Sequence, residues 1–332
     1  MKRNSKSPSA FAQGLNRRPL IRWLFWFGVG GLILLLGWLF NDYRGDFYPP
    51  LDTKSPWSLA FWVGEGVDWL VFQLDPLFDA IKWFTQTVLN GLERFLLWLP
   101  WWSVLVLIAL PAWRLASVRV GIFTGAAIYF IGMLGLWELC METLALIATA
   151  VLISVALGIP IGILAARSDR IDNMVRPVLD VMQTMPAFVY LIPALMFFGI
   201  GTVPGVIATV IFALPPAVRL TNLGIRQVPK DLVEAAHTFG STNFQLLFKV
   251  QLPLALPSIM AGINQTIMLS LSMVVLAAMI AAGGLGREVI MALGQVDIGR
   301  GFVAGVAIVL VAMILDRVTQ SLGRKRRGAR AL

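Results

Sequence analysis

Apolar positions in this 332-residue chain gather in runs too long for strands and too continuous for the surface helices of a water-soluble domain. Eight runs approach the roughly 20 apolar residues that cross a hydrocarbon layer: 24–40, 97–113, 120–137, 143–166, 186–200, 204–218, 258–282 and 302–318. The fifth and sixth are short, because Gly199, Gly201, Pro204 and Gly205 interrupt one longer run. The pattern predicts an all-α, polytopic membrane protein of about eight transmembrane helices. Composition agrees. Hydrophobic residues make up 58% of the chain and charged residues 14%, against about 25% charged in ordinary soluble domains. That excludes a soluble enzyme, a disordered tail and a disulfide scaffold. A single cysteine, Cys140, and a single histidine, His237, offer neither an internal bridge nor a metal cluster.

Charge supplies direction. Residues 1–23 hold six basic groups and no acid, and a second basic cluster, Arg324 to Arg327, closes the chain. With both termini cytoplasmic and eight spans threaded between them, the cytoplasmic segments collect 21 of the 27 basic residues and 6 of the 18 acids. This is the positive-inside asymmetry of a plasma-membrane protein. The basic ends therefore need no nucleic-acid partner. The run 24–40 reads as an uncleaved anchor, because Phe40-Asn41-Asp42 offers no small-residue cleavage site.

The outer segment 41–96 is acidic and aromatic. Asp75-Pro76 reads as a helix N-cap followed by proline in the first turn. From there Leu77, Ile81, Phe84, Val88, Leu92 and Phe95 keep helical spacing, which predicts an amphipathic helix at the outer interface. It serves either as a scaffold packed on the bundle or as a docking surface for an external partner. The segment 97–137 supplies two accessory spans, and 143–318 forms a core.

Spans four to eight, which cross the membrane within that core, are almost free of ionisable groups, and none lies within 186–218 or 258–282. Proton-coupled carriers place such groups near mid-membrane, so the pattern argues against one. It argues less strongly against sodium coupling, since broken helices can hold sodium with carbonyls. No G-x-x-x-x-G-K-[ST] loop is present, so the chain has no P-loop nucleotide site of its own. Gly283-Gly284-Leu285-Gly286 reads as a flexible turn. Ser154, Ser270 and Ser272 read as polar contacts between helices.

The longest polar connection inside the core is 219–257. Pro229 opens a helix through Glu234-Ala235-Ala236, and Gly240 closes it. Ser241 or Thr242 caps a second helix, which Leu252-Pro253 ends, turning the chain toward the membrane. Leu232, Ala236, Phe239, Phe244, Leu247 and Phe248 gather into an apolar knob. The residues alone fit a plain interfacial loop equally well.

The E-A-A-x-x-x-G spacing, with Leu252-Pro253 twelve residues beyond the glycine, resembles the EAA signature of ABC importer permeases. Further segments resemble the glycine betaine/proline betaine permeases of that family. They include Gln183-Thr184, Pro186 to Leu191, Phe198-Gly199-Ile200-Gly201, Ala213-Leu214-Pro215-Pro216, Phe248 to Ala255, Asn264-Gln265-Thr266 and Gly283 to Gly286. The resemblance is strong over about 140–322 and looser over 67–140. It implies a five-helix, type-I, MetI-like importer core and a homodimer in the bacterial inner membrane. It also implies a partner ATPase subunit that binds ATP and Mg, and a periplasmic substrate-binding protein. This chain itself would hold no cofactor and would not be an enzyme.

Carried onto this sequence, the coupling residues are Glu234, Ala235, Ala236, Gly240, Leu252 and Pro253. Met182, Gln183, Thr184, Met185, Pro186, Phe188, Tyr190, Asn264 and Gln265 are candidates for the translocation pathway. Aromatic rings favour quaternary ammonium groups, yet most of the aromatics lie in 1–140, outside the core. The expected cargo is glycine betaine, proline betaine or a related amine. A choline-selective importer and an ion-coupled carrier are the alternatives.

Overall fold

A computed structural model describes residues 58–328 and six helical positions between 28 and 36; side chains are described as far as Ser321. The expected basic N-terminus 1–23, most of the 24–40 span, the stretch 41–57 and the basic side chains of the tail lie outside the described residues. The chain divides into two units, Met1–Trp69 and Leu70–Leu332. In the first, Ser58 Oγ accepts from the N–H of Phe61 at 3.1 Å; the helix that begins there, α1, is Leu59–Trp98, most of it belonging to the second unit.

The remaining elements are all helical: α2 (Trp101–Leu115), α3 (Val118–Met133), α4 (Trp137–Arg167), α5 (Asp169–Thr184), a 3₁₀ turn Ala187–Tyr190, α6 (Leu191–Phe198), α7 (Thr202–Arg226) and α8 (Lys230–Thr238). They are followed by α9 (Asn243–Ile280), α10 (Gly284–Gln295) and α11 (Ile298–Gly328). No strand occurs among the described residues. Four helices there (α4, α7, α9 and α11) are long and apolar enough to cross a membrane. The number rises to six if the bent pairs α1/α2 and α5/α6 each count as one span.

Three expectations from the sequence change. The fifth run, 186–200, is no straight span: α6 has eight residues and meets α5 at 112° across Met185-Pro186. Proline at 186 restricts Met185 to extended backbone (φ −69°, ψ 136°), so α5 must stop there. Asp75-Pro76 does not begin a helix either; Pro76 lies inside α1. Finally, the buried stripe of α1 is displaced from the predicted one. Thr85 and Leu89 are buried, with Leu92 and Leu96 packed beside them, while Leu77, Ile81, Phe84 and Phe95 face outward. An outward apolar side chain costs little beside lipid, so hydrophobicity alone does not mark the packed face. Phe78 anchors this helix by stacking on Phe197 at 4.8 Å and meeting Phe198 edge-on at 5.5 Å.

The core helices approach closely where side chains are small. A Cβ on Gly158 would lie 2.7 Å from Ala217 Cβ, and one on Gly162 would lie 2.7 Å from Val218 O. These glycines of α4 let α7 pack backbone against side chain, which is how helices associate in lipid. Gly262 of α9 plays the same part against α7. Hydroxyls add cross-links: Ser154 Oγ donates to Val210 O at 3.4 Å and Thr266 Oγ1 to Ala213 O at 3.0 Å. Ser272 instead bonds its own helix, and Ser270 Oγ is buried without a hydrogen-bond partner.

The Gly283-Gly284 turn is tightly held rather than loose. Gly284 has φ +68°, and a Cβ there would lie 2.5 Å from Thr143 Oγ1. Its N–H donates to Glu142 Oε2 at 2.9 Å, and that of Leu285 to Thr143 Oγ1 at 2.7 Å. Two side chains of α4 thus satisfy two of the orphan N–H groups that open α10.

Candidate functional site

The connection between α7 and α9 forms two helices around a sharp turn. Pro229 stands at the N-cap of α8, and Asp231 in the first turn complements the positive end of the helix dipole. No residue of α8 is buried. After Phe239 the chain reverses at Gly240, whose φ is +77°. Its N–H donates to His237 O at 2.9 Å, and the Ser241 N–H reaches back to Ala236 O at 3.0 Å. These bonds close the last carbonyls of α8 around a left-handed residue, the role for which glycine is suited.

Thr242 then starts α9 with a reciprocal cap. Its Oγ1 accepts from the Gln245 N–H at 3.3 Å, while Gln245 Oε1 accepts from the Thr242 N–H at 3.0 Å. Phe244 and Phe248 lie 4.3 Å apart between ring centroids. With Leu232 and Phe239 they present apolar surface outward; Phe239 is 89% exposed. Glu234, Ala235 and Gly240 are exposed on the same knob, and Ala236 is half-buried. An apolar patch ringed by polar groups and borne on two capped helices suits a protein partner.

Leu252 and Pro253 do not end the second helix, as the sequence suggests; α9 continues through them to Ile280. The preceding turns, Leu246–Gln251, widen into a π-helix. Proline has no N–H and crowds the carbonyl four residues back, so a wider turn just before Pro253 relieves both problems. Leu252 therefore belongs to the base of the knob. There Ile225, Leu247, Ala255 and Ile259 are buried, with Ile159, Ile163, Ala166 and Leu252 against them.

The pathway candidates separate. Met182, Gln183, Thr184, Met185 and Pro186 cluster at the α5/α6 bend, where the Tyr190 hydroxyl donates to Met182 O. Gln183, Thr184, Pro186 and Phe188 are exposed. Tyr190 is buried against Leu191, Ala194, Ala208 and Met273. Asn264 is turned away from that bend, donating to Asp316 Oδ1 at 3.4 Å and accepting from Thr319 Oγ1 on α11. Gln265 is exposed.

A polar network that sequence reading missed lies below the knob. Asp172 on α5, only 4% exposed, accepts from Asn222 Nδ2 at 2.7 Å and pairs with Arg176 at 2.8 Å and Arg226 at 3.6 Å. Arg226 also pairs with Asp169 at 2.7 Å and donates to Ala165 O at 2.8 Å. Asp180 pairs with Arg219 at 2.5 Å. The signal was in the spacing. Asp169, Asp172 and Asp180 share one face of α5, and Arg219, Asn222 and Arg226 recur at matching helical intervals on α7.

The sequence model of the family described as binding-protein-dependent transport system inner membrane component matches residues 158–328. The chain is 52% identical over 274 residues to the glycine betaine/proline betaine transport system permease protein ProW of Escherichia coli (strain K12), covering 82% of this chain and 77% of that one. It is 49% identical over 277 residues to the glycine betaine transport system permease protein OpuAB of Bacillus subtilis (strain 168), covering 83% and 98%. Its fold is similar to a chain of the MetNI methionine ABC transporter in an inward-facing conformation. That match has a TM-score of 0.53 and 21% identity, over 58% of this chain and 97% of the other.

Proposed function

This chain belongs to the family of inner membrane components of binding-protein-dependent transport systems, and on that premise we propose that it carries glycine betaine, proline betaine or a related methylated amine into the cell. It is a permease subunit of an ABC transporter, with the helical fold of that class. The ion-coupled alternative falls away with the family, whose transport depends on a binding protein. The cargo assignment rests on relatives named for glycine betaine that align along most of their own length.

In this reading α8 and the first turns of α9 dock on a separate ATPase subunit, which holds ATP and Mg. A periplasmic binding protein delivers the amine. A second copy of the chain completes the pathway, and both termini lie in the cytoplasm. Nucleotide shifts the assembly only by binding its inward and outward states unequally. Glu234, Ala235, Ala236 and Gly240 form the docking face. Gln183, Thr184, Pro186 and Phe188 line the route at the α5/α6 bend, together with Gln265. The observation that carries the reading is α8, none of whose residues is buried, with its apolar knob.

The test is uptake in proteoliposomes holding the chain, its ATPase and its binding protein. Radiolabelled glycine betaine enters when ATP is supplied to the ATPase side, and Glu234→Arg abolishes this. Uptake driven by an ion gradient without ATP would overturn the permease assignment. ATP-driven uptake of choline but not of betaines would overturn the cargo.

A further inference from the structure

The exposed knob raises a mechanical question. Helix α8 buries none of its residues. A push delivered there reaches the membrane helices through the two ends of the loop, the last turn of α7 and the first turn of α9, and through the Leu246–Gln251 turn on which α8 rests. The more firmly those ends are held, the less of the push is lost in the loop.

Both ends are tied to the same helix terminus. At the departing end, Arg226 Nη2 donates to Ala165 O at 2.8 Å. At the returning end, Asn243 O accepts from Arg167 Nη2 at 2.8 Å. Ala165 and Arg167 belong to the last turn of α4. Its terminal carbonyls lack helical partners, and its dipole is negative there, so a guanidinium is well suited to the position. From the same corner Arg226 pairs with Asp169 and Asp172, at the start of α5. Asp172 is the buried member, and Asn222 of α7 adds a further bond to it at 2.7 Å. Helix α5 then runs sixteen residues to the bend at Met185-Pro186, and Asp180–Arg219 ties it again to α7 on the way.

We infer that Arg226, Arg167 and Asp172 form a transmission clamp. It locks both ends of the coupling loop to the α4–α5 corner, so that movement of the knob turns α5 and the bend beyond it instead of dissipating in the loop. A planar guanidinium serves better than an ammonium, because Arg226 must reach a carbonyl and carboxylates at once from fixed N–H directions. These are positioning residues; none of them belongs to the exposed docking face. The inference rests on the permease reading above.

The experiment compares amine transported per ATP hydrolysed in the reconstituted three-component system. The wild type is set beside Arg226→Gln, Arg226→Lys, Arg167→Gln and Asp172→Asn. The expected result is retained ATPase association and continued hydrolysis, with transport per ATP lowered at least about fivefold in Arg226→Gln, the scale of a typical coupling free energy. Arg226→Lys regains part of the ratio, and Arg167→Gln, which removes one bond at an exposed site, lowers it as well. An unchanged ratio in both glutamine variants overturns the clamp. So does a proportional loss of hydrolysis and transport accompanied by lower thermal stability, which marks a merely structural role. Absence of ATP-driven uptake in the wild type would instead refute the permease reading itself.

Discussion

Glycines in this chain do two different jobs, and substitution separates them. Gly240 takes φ +77°, yet a Cβ there meets nothing within 4 Å. Strain of the left-handed backbone, about 1–2 kcal/mol for an ordinary residue, is therefore its whole cost. Gly240→Asn is expected to keep more ATPase binding than Gly240→Val, because asparagine tolerates that conformation. Co-purification of the ATPase with each variant measures this. Gly162 has an ordinary helical backbone but no room, since an added Cβ would stand 2.7 Å from both Val218 O and Thr221 Cβ. Gly162→Ala is expected to force α4 and α7 apart at about 1–3 kcal/mol. Gly294→Ala, also helical but with nothing within 4 Å, should be neutral or slightly stabilising. Thermal unfolding in detergent distinguishes the two. A glycine in a sequence announces freedom or closeness without saying which; the neighbouring helix decides.

Among elements, the start of α9 shows how far local rules extend. Of the two cap candidates, Ser241 and Thr242, it is Thr242 that caps the helix, in a reciprocal pair with Gln245. Thr242→Val removes the acceptor at a cost of about 1 kcal/mol. Faster amide hydrogen exchange over 243–247 is expected, with little change in global melting, because Leu246 and Leu247 remain buried in the base. Pro253 shows where local rules end. Proline beside a leucine reads as a helix terminus, and a π-helical turn carries the helix past it. The pull of a buried base around Leu247 and Ala255 outweighs the propensity. The stripe on α1 failed for a related reason. In lipid both faces of a helix can be apolar, so period gives the helix but not the face that packs.

For the molecule as a whole, orientation is the property on which coupling depends. Cys140 is the single cysteine and is buried, so Cys140→Ala provides a clean background. In it, His237→Cys on the exposed α8 should react with a membrane-impermeant maleimide in inverted vesicles and not in right-side-out cells. Labelling from the outside would remove the docking face from the ATPase side of the membrane. The two-helix turn is easier to read along the chain than the polar network is. The E-A-A-x-x-x-G spacing and its caps are contiguous, so the knob is legible along the chain itself. The Asp172 cluster joins residues fifty positions apart; helical spacing marks a polar face on each helix but not that the two faces meet.

Sequence alone determined that this chain is helical, lies in a membrane, carries a basic cluster towards each end, and makes a two-helix turn in its longest polar connection. Those properties follow from transfer free energy and short-range backbone bonding, which neighbours along the chain specify. Only the tertiary structure decided that α5 and α6 meet at a bend, that Asn264 turns to α11, and that two arginines bind both ends of the loop to one helix terminus. Each of these depends on which surfaces meet across long stretches of chain, and a buried ion pair has no identity until both of its partners share one place.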